Sequence, residues 1–229
     1  MTNLVLVGHG RMGHLVEKTA AAYDCRIAGI VTDASPAGFL AAHDFGPVDV
    51  AIDFTVAGAV SPNLAVMAGR GWNVVIGTTG WDADLAECRA IVERAGTGVL
   101  AAANFSIGMH VFRRLVQDAA SQFGARPDVG AWIHESHHAA KRDAPSGTAL
   151  ELARAMLAAG YDRGIDVSST RAGSIPGIHE VGFDAPAETV TLTHEVRDRA
   201  VFAHGALEAA VWLKGRRGWF GIADMVGTP

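Results

Sequence analysis

Four consecutive apolar residues, Leu4-Val-Leu-Val7, run directly into Gly8-His-Gly10-Arg-Met-Gly13, after which Leu15, Val16 and the alanines to Ala22 suit a helix. The order is strand, glycine turn, helix. In such a turn the first glycine makes the tight bend, the second lets a pyrophosphate approach the backbone, and the third allows the helix to lie close on the strand. A second apolar strand, Ile27 to Val31, follows at the spacing this unit requires and ends near Asp33, twenty residues after Gly13. An acidic residue there can take the ribose hydroxyls of a dinucleotide, although Thr-Asp-Ala-Ser-Pro36 also reads as a turn.

The alternation continues through the first half of the chain. Pro36 to Pro47 reads as a short connection; Val48 to Thr55, Asn73 to Ile76 and Gly98 to Ala103 read as strands, with helices over Asn63–Gly69 and from Asp82 to Ala95. The strand ends carry Asp53-Phe-Thr55, Gly77-Thr-Thr-Gly80 and Ala103-Asn-Phe-Ser-Ile-Gly108; the small hydroxyl residues and glycines of the second let a flat ring approach the backbone closely, or simply make a strand-to-helix turn. Five strand–helix alternations predict a parallel sheet covered on both faces, a Rossmann domain.

The pattern then changes. After a helix over Met109 to Phe123, strands are expected at Val129–His134, Asp166–Arg171, Ile178–Phe183 and Glu188–Val196, the last with Thr189, Thr191 and Thr193 in period-two alternation. These predict an α+β domain with an open mixed sheet, one face of which meets solvent or another subunit. Ala206 to Leu213 reads as the last helix and Arg216 to Pro229 as a closing segment.

The densest chemistry lies in Glu135-Ser-His-His-Ala-Ala-Lys-Arg-Asp-Ala-Pro-Ser-Gly-Thr148. Ala149, Leu152, Ala153, Met156 and Leu157 then recur at helical spacing as one apolar stripe, and Thr148 with Glu151 forms a candidate capping box, so the helix is expected to start at Ser146 or Thr148. A helix start offers unpaired N–H groups to a carboxylate or phosphate. His137, His138 and Lys141, where the strand turns towards that helix, add an imidazole that titrates near neutrality and a fixed ammonium charge. The set suits an anionic substrate that must be protonated. No cysteine and no His-x-x-x-His spacing accompanies the histidines, so no metal is expected there.

With 229 residues, 49% hydrophobic and 19% charged, the chain can bury a full core. A net charge of −5 without a long basic run argues for a small-molecule partner rather than nucleic acid. Cys25 and Cys88 are far apart and read as buried reduced thiols. No apolar run reaches membrane-spanning length, and a cytoplasmic protein without a membrane partner is expected.

The run His137-His-Ala-Ala-Lys141-Arg-Asp143-Ala-Pro-Ser146-Gly-Thr148 resembles the signature of the 4-hydroxy-tetrahydrodipicolinate reductase (dihydrodipicolinate reductase) family, and the resemblance extends over nearly the whole chain. It implies NADH- or NADPH-dependent reduction of a cyclic dicarboxylate in lysine and diaminopimelate synthesis. A reductase of the same fold acting on another cyclic imine or carboxylate is the alternative. The implied catalytic residues are His137 as proton donor and Lys141 as the second, two roles that could be exchanged. His138, Ser146, Gly147, Thr148, Thr79 and Arg199 would bind substrate. Gly8, His9, Gly10, Arg11, Met12, Gly13, Asp33, Gly77, Thr78, Thr79, Ala102, Ala103, Asn104 and Phe105 would bind cofactor. The implied domains are 1–104 with 199–229 for the dinucleotide and 105–198 for substrate and for association into a homotetramer. The chain departs from many family members in a shorter stretch between Asp33 and Val48 and in a more compact glycine turn, both of which touch adenosine recognition. Asp33 favours NADH, whereas Arg11 could meet the 2′-phosphate of NADPH.

Overall fold

The computed structural model describes residues 1–32 and 36–227. Asp33, the expected ribose partner, lies outside the described residues. The chain divides into two compact units, one of residues up to Ser106 together with the segment from Ala200 onward, the other Ile107–Arg199.

The first unit opens with β1 (Thr2–Val7), α1 (Arg11–Thr19), β2 (Cys25–Val31), α2 (Pro36–Ala42), β3 (Val50–Asp53), α3 (Val60–Gly69), β4 (Asn73–Ile76), α4 (Leu85–Ala95) and β5 (Gly98–Ala101). The second unit contains α5 (Ile107–Gly124), β6 (Gly130–His137), α6 (Gly147–Ala158), β7 (Ile165–Arg171), β8 (Ile178–Ala185) and β9 (Glu188–Glu195). The chain then returns to the first unit as α7 (Ala200–Leu213), β10 (Gly218–Phe220) and α8 (Ile222–Val226).

The first sheet has the order β10-β5-β4-β3-β1-β2, and every pairing in it is parallel. Because successive side chains of a strand point to opposite faces, the apolar run of β1 must be covered twice. Leu4 and Leu6 pack with Val16 of α1 and with Ala206, Leu207 and Leu213 of α7. Val5 and Val7 pack with Leu40, Leu64, Met67 and Val92 from α2, α3 and α4. Register aligns Val7 with Asp53, Asp53 with Ile76 and Ile76 with Ala101, so four strands end level. The ladder even continues one residue past them, with the N–H of Phe54 donating to Val7 (2.9 Å), that of Gly77 to Asp53 (2.9 Å) and that of Ala102 to Ile76 (3.1 Å).

The second sheet has the order β7-β6-β8-β9, with β6 and β7 parallel and the other pairs antiparallel. It is the open mixed sheet expected. Its apolar face, Ala131, Ile133, Val181 and Phe183, is covered by Phe112 and Val116 of α5 and Leu152 and Met156 of α6. Cys25 and Cys88 are free and buried. Among the described residues, no helix is long and apolar enough to cross a membrane.

Several sequence expectations are corrected. Pro36 to Pro47 is not merely a connection, because Leu40 anchors a two-turn helix in the core. Thr148 does not cap α6: Ser146 is extended there and its hydroxyl accepts the N–H of Ala149 (3.2 Å), which leaves Thr148 inside the first turn. The expected α6 stripe is too wide, since Leu157 is 52% exposed while Ala155 is buried. The last long helix begins at Ala200 rather than Ala206, and the closing segment contributes a sixth strand to the parallel sheet.

Candidate functional site

In the first unit the level strand ends form a rim. Gly8 has a φ of +89°, and a Cβ on it would lie 2.4 Å from the carbonyl oxygen of Phe54; one on Gly13 would lie 2.4 Å from that of Gly8. These two glycines are therefore required by the protein's own backbone. Gly10 differs, for a Cβ there meets nothing within 4 Å. It is the N-cap of α1, and among the described residues no side chain caps that helix, whose first N–H groups have no intrahelical acceptor. A cradle of this form fits a dinucleotide pyrophosphate.

Further along the rim, Asp53 is completely buried. Its Oδ1 accepts the N–H (2.9 Å) and hydroxyl (2.6 Å) of Thr55 and the hydroxyl of Thr78 (3.1 Å), and its Oδ2 accepts the amide of Asn63 (3.0 Å). Gly77 lies flat against the Phe54 ring, where a Cβ would be 2.0 Å from a ring carbon. Thr78 is thus committed to structure, and Thr79 is the exposed hydroxyl of that turn. A cavity of ≈ 320 Å³ opens beside it, lined by Thr79, Trp81, Arg89, Ala102, Ala103 and Trp219. Ala103 and Asn104 are exposed on the rim, whereas the side chain of Phe105 is buried in the core against Phe54.

In the second unit the motif is built around Glu135. Strand β6 runs to His137, so Glu135 and His137 share the face that carries Ile133. Glu135 is fully buried and makes a bidentate pair with Arg171, Nη1 to Oε2 at 2.9 Å and Nη2 to Oε1 at 2.6 Å. Its Oε1 also accepts the N–H of Ser146 (3.1 Å), and its Oε2 bonds Nδ1 of His137. Burial alone would raise this carboxyl; the bonds from Arg171, Ser169, His137 and Ser146 overcome it and hold the group at about 2. It is an acceptor at neutral pH. His137 accordingly donates from Nδ1, and among the described residues nothing hydrogen-bonds its Nε2.

Arg171 also donates to the carbonyl of Asp143 (2.6 Å), which fixes the loop that carries Lys141, and Lys141 pairs with the Asp143 carboxylate (2.8 Å). His137 is lowered by burial and by the positive charges of Lys141 and Arg171, with Glu135 opposing them. Its ring meets that of His179 edge to face at 5.2 Å. His179 is buried, Nε2 lies 3.3 Å from the Ser146 hydroxyl, and burial followed by the nearby His137 pushes it down to about 4. Arg199 donates to Nε2 of His138 (3.1 Å). The N–H of Lys141 donates to the carbonyl of His138 (3.0 Å), so His137, His138, Lys141, Ser146 and Arg199 are held by one connected set of bonds, and Gly147 and Thr148 open the helix beside them.

The family model described as "Dihydrodipicolinate reductase, N-terminus" matches residues 2–105, and that described as "Dihydrodipicolinate reductase, C-terminus" matches residues 108–226. The chain belongs to the dihydrodipicolinate reductase family. Members of this family are NAD(P)H-dependent oxidoreductases, and so is this chain. The chain is 34% identical over 238 residues to the 4-hydroxy-tetrahydrodipicolinate reductase of Christiangramia forsetii, covering 98% of this chain and 97% of that one. It is 39% identical over 230 residues to that of Xanthomonas campestris pv. campestris, covering 95% and 94%. The dipicolinate-bound dihydrodipicolinate reductase from Paenisporosarcina sp. TG-14 shares the fold, with a TM-score of 0.82 at 22% identity over 99% of this chain and 100% of that one.

Beyond the residues expected from sequence, the site of this dihydrodipicolinate reductase family member includes Glu135, Arg171 and His179. One local cue existed for Glu135, a charged residue at the alternating position that buries Ala131 and Ile133. The partners that neutralise it arrive from β7 and the start of α6 and leave no trace beside it in the chain.

Proposed function

We propose that this chain reduces 4-hydroxy-tetrahydrodipicolinate to tetrahydrodipicolinate with NADH or NADPH, using His137 as the main proton donor and Lys141 as the second. The observation that carries the reading is the Arg171–Glu135–His137 chain of bonds, which presents Nε2 of an imidazole beside an ammonium group and a helix start. The names of its relatives favour this substrate over another cyclic imine. When bound, the nicotinamide supplies the hydride.

The chain's own residues do the rest. Lys141, His138, Arg199 and the N–H and hydroxyl groups of Ser146-Gly147-Thr148 hold the two substrate carboxylates. Glu135 and Arg171 are positioning residues: they lock the Nδ1 proton of His137 in place, so that Nε2 is the atom that carries and delivers the exchangeable proton. A dianionic substrate beside His137 raises the imidazole again, which loads it for donation. Gly8 to Gly13, Gly77, Thr78 and Ala102 to Phe105 form the cofactor rim, Phe105 through its backbone, and Asp33 takes the ribose. The first unit is the dinucleotide domain and Ile107–Arg199 the substrate domain. Edge strand β9, whose Val190 is 39% exposed, is the surface through which four copies associate, to be tested by light scattering. The two free thiols fit a cytoplasmic location.

The decisive measurement is NADH oxidation with freshly generated substrate. His137→Ala and Lys141→Ala should each lower turnover by about 10²-fold or more while leaving NADH binding nearly unchanged. Wild-type turnover in either variant removes that residue from catalysis.

A further inference from the structure

Outside the Glu135–Thr148 motif, three metal-ligating side chains converge on the glycine turn. His14 and Glu17 stand three residues apart on α1, neighbours on one helix face. The bend at Gly8 folds His9 back over that face, with Nε2 2.7 Å from Oε2 of Glu17 and its ring centroid 3.9 Å from that of His14. One ligand atom from each residue can be chosen so that all lie within 4.8 Å of one another.

The backbone beneath them is fixed, because Gly13 is pressed against the carbonyl of Gly8. Packing does not explain the cluster: Val16 anchors α1 in the core, while His14 and Glu17 are exposed. Among the described residues nothing hydrogen-bonds the His14 ring, which rests on His9.

We propose that His9, His14 and Glu17 form a binding site for one divalent transition-metal ion of borderline softness, Zn²⁺, with a fourth position open to water. Tetrahedral zinc with nitrogen and oxygen ligands separates them by about 3.3 Å, so the widest gap closes by at most about 1.5 Å, a change that side-chain torsions of exposed residues supply. Two imidazoles and one carboxylate suit Zn²⁺, Ni²⁺ or Cu²⁺, and provide too few oxygens for Mg²⁺ or Ca²⁺. The ion would clip the turn to the first helix. This site does not depend on the assignment of the reaction.

The test is calorimetric titration of ZnCl₂ into the untagged full chain, with MgCl₂ in parallel and circular dichroism to verify that variants are folded. The expected result is one Zn²⁺ per chain and no Mg²⁺. His14→Gln and Glu17→Gln should each weaken Zn²⁺ on the order of 100-fold, and His137→Gln should keep the full affinity. Absence of Zn²⁺ binding, equal binding of Mg²⁺, or an affinity lost with His137 but kept without His14 and Glu17 would overturn the proposal.

Discussion

Asp53, at the end of β3, and Glu135, two residues before the end of β6, are both sealed completely from solvent, and they are held in different ways. Asp53 accepts only from neutral donors, two threonine hydroxyls, an amide and a backbone N–H, and it ties the end of β3 to the Thr78 turn after β4. Glu135 accepts from a guanidinium and an imidazole, as well as from the Ser169 side chain and one backbone N–H. The first carboxylate shapes a rim made largely of glycine and absent side chains; the second shapes a site made of charge. Binding a flat cofactor needs backbone within reach, whereas moving a proton needs an imidazole whose tautomer is fixed.

The largest effect should come from Glu135→Gln. The substitution keeps the volume but strands the guanidinium of Arg171, and breaking a buried pair of this kind costs about 3 kcal/mol, readable by urea denaturation. It should also lower turnover, since His137 loses the acceptor that fixes its Nδ1 proton. A second measurement separates the groups by pH. Glu135 lies below its ordinary 4.5, at about 2, so its contribution is complete above pH 4.5 and is lost as pH falls towards 2. His179 lies below its ordinary 6.5, at about 4, because it is buried neutral; the unfolded chain takes up that proton first, so its contribution is complete above pH 6.5 and is lost between 6.5 and 4. Stability measured against pH should lose the lower window in Glu135→Gln and the upper one in His179→Gln.

Asp53→Asn should be milder, about 1–2 kcal/mol, because neutral donors lose a partner without a charge being stranded. Equal losses at Asp53 and Glu135 would erase the distinction between the two carboxylates. Gly10→Ala should change stability by no more than about 0.5 kcal/mol, given the open space around it, and yet weaken NADH measurably in a fluorescence titration. An unaltered NADH affinity would mean that the space at Gly10 is not reserved for the cofactor.

The first unit was largely legible in the sequence because its determinants are local. Leu4 to Val7 can exist only inside a covered sheet, and Gly8 and Gly13 occur where no Cβ fits. The charged site was legible in its consecutive part, His137 to Thr148, and not in its support. Arg171 lies 36 residues beyond Glu135 and meets it only through the register of β6 with β7; His179 arrives by the antiparallel pairing of β6 with β8. Caps and stripes failed for a related reason. Thr148 and Ser146 look equally able to start a helix until the N–H of Ser146 is drawn onto Glu135, and Leu157 fits the helical period but stays half exposed.

The order of strands carries a lesson about how the molecule is made. On a ribosome, β1 to β5 emerge early, yet the face bearing Leu4 and Leu6 is closed by α7, and the sheet's last edge by β10, both encoded after the whole second unit. At about 5–20 residues per second, the nascent parallel sheet waits for seconds with one side covered by α1 alone, while the chain of Ile107–Arg199 is made in between. The unit read first by the ribosome is therefore the one completed last, and the interval between is when a chaperone has most to hold.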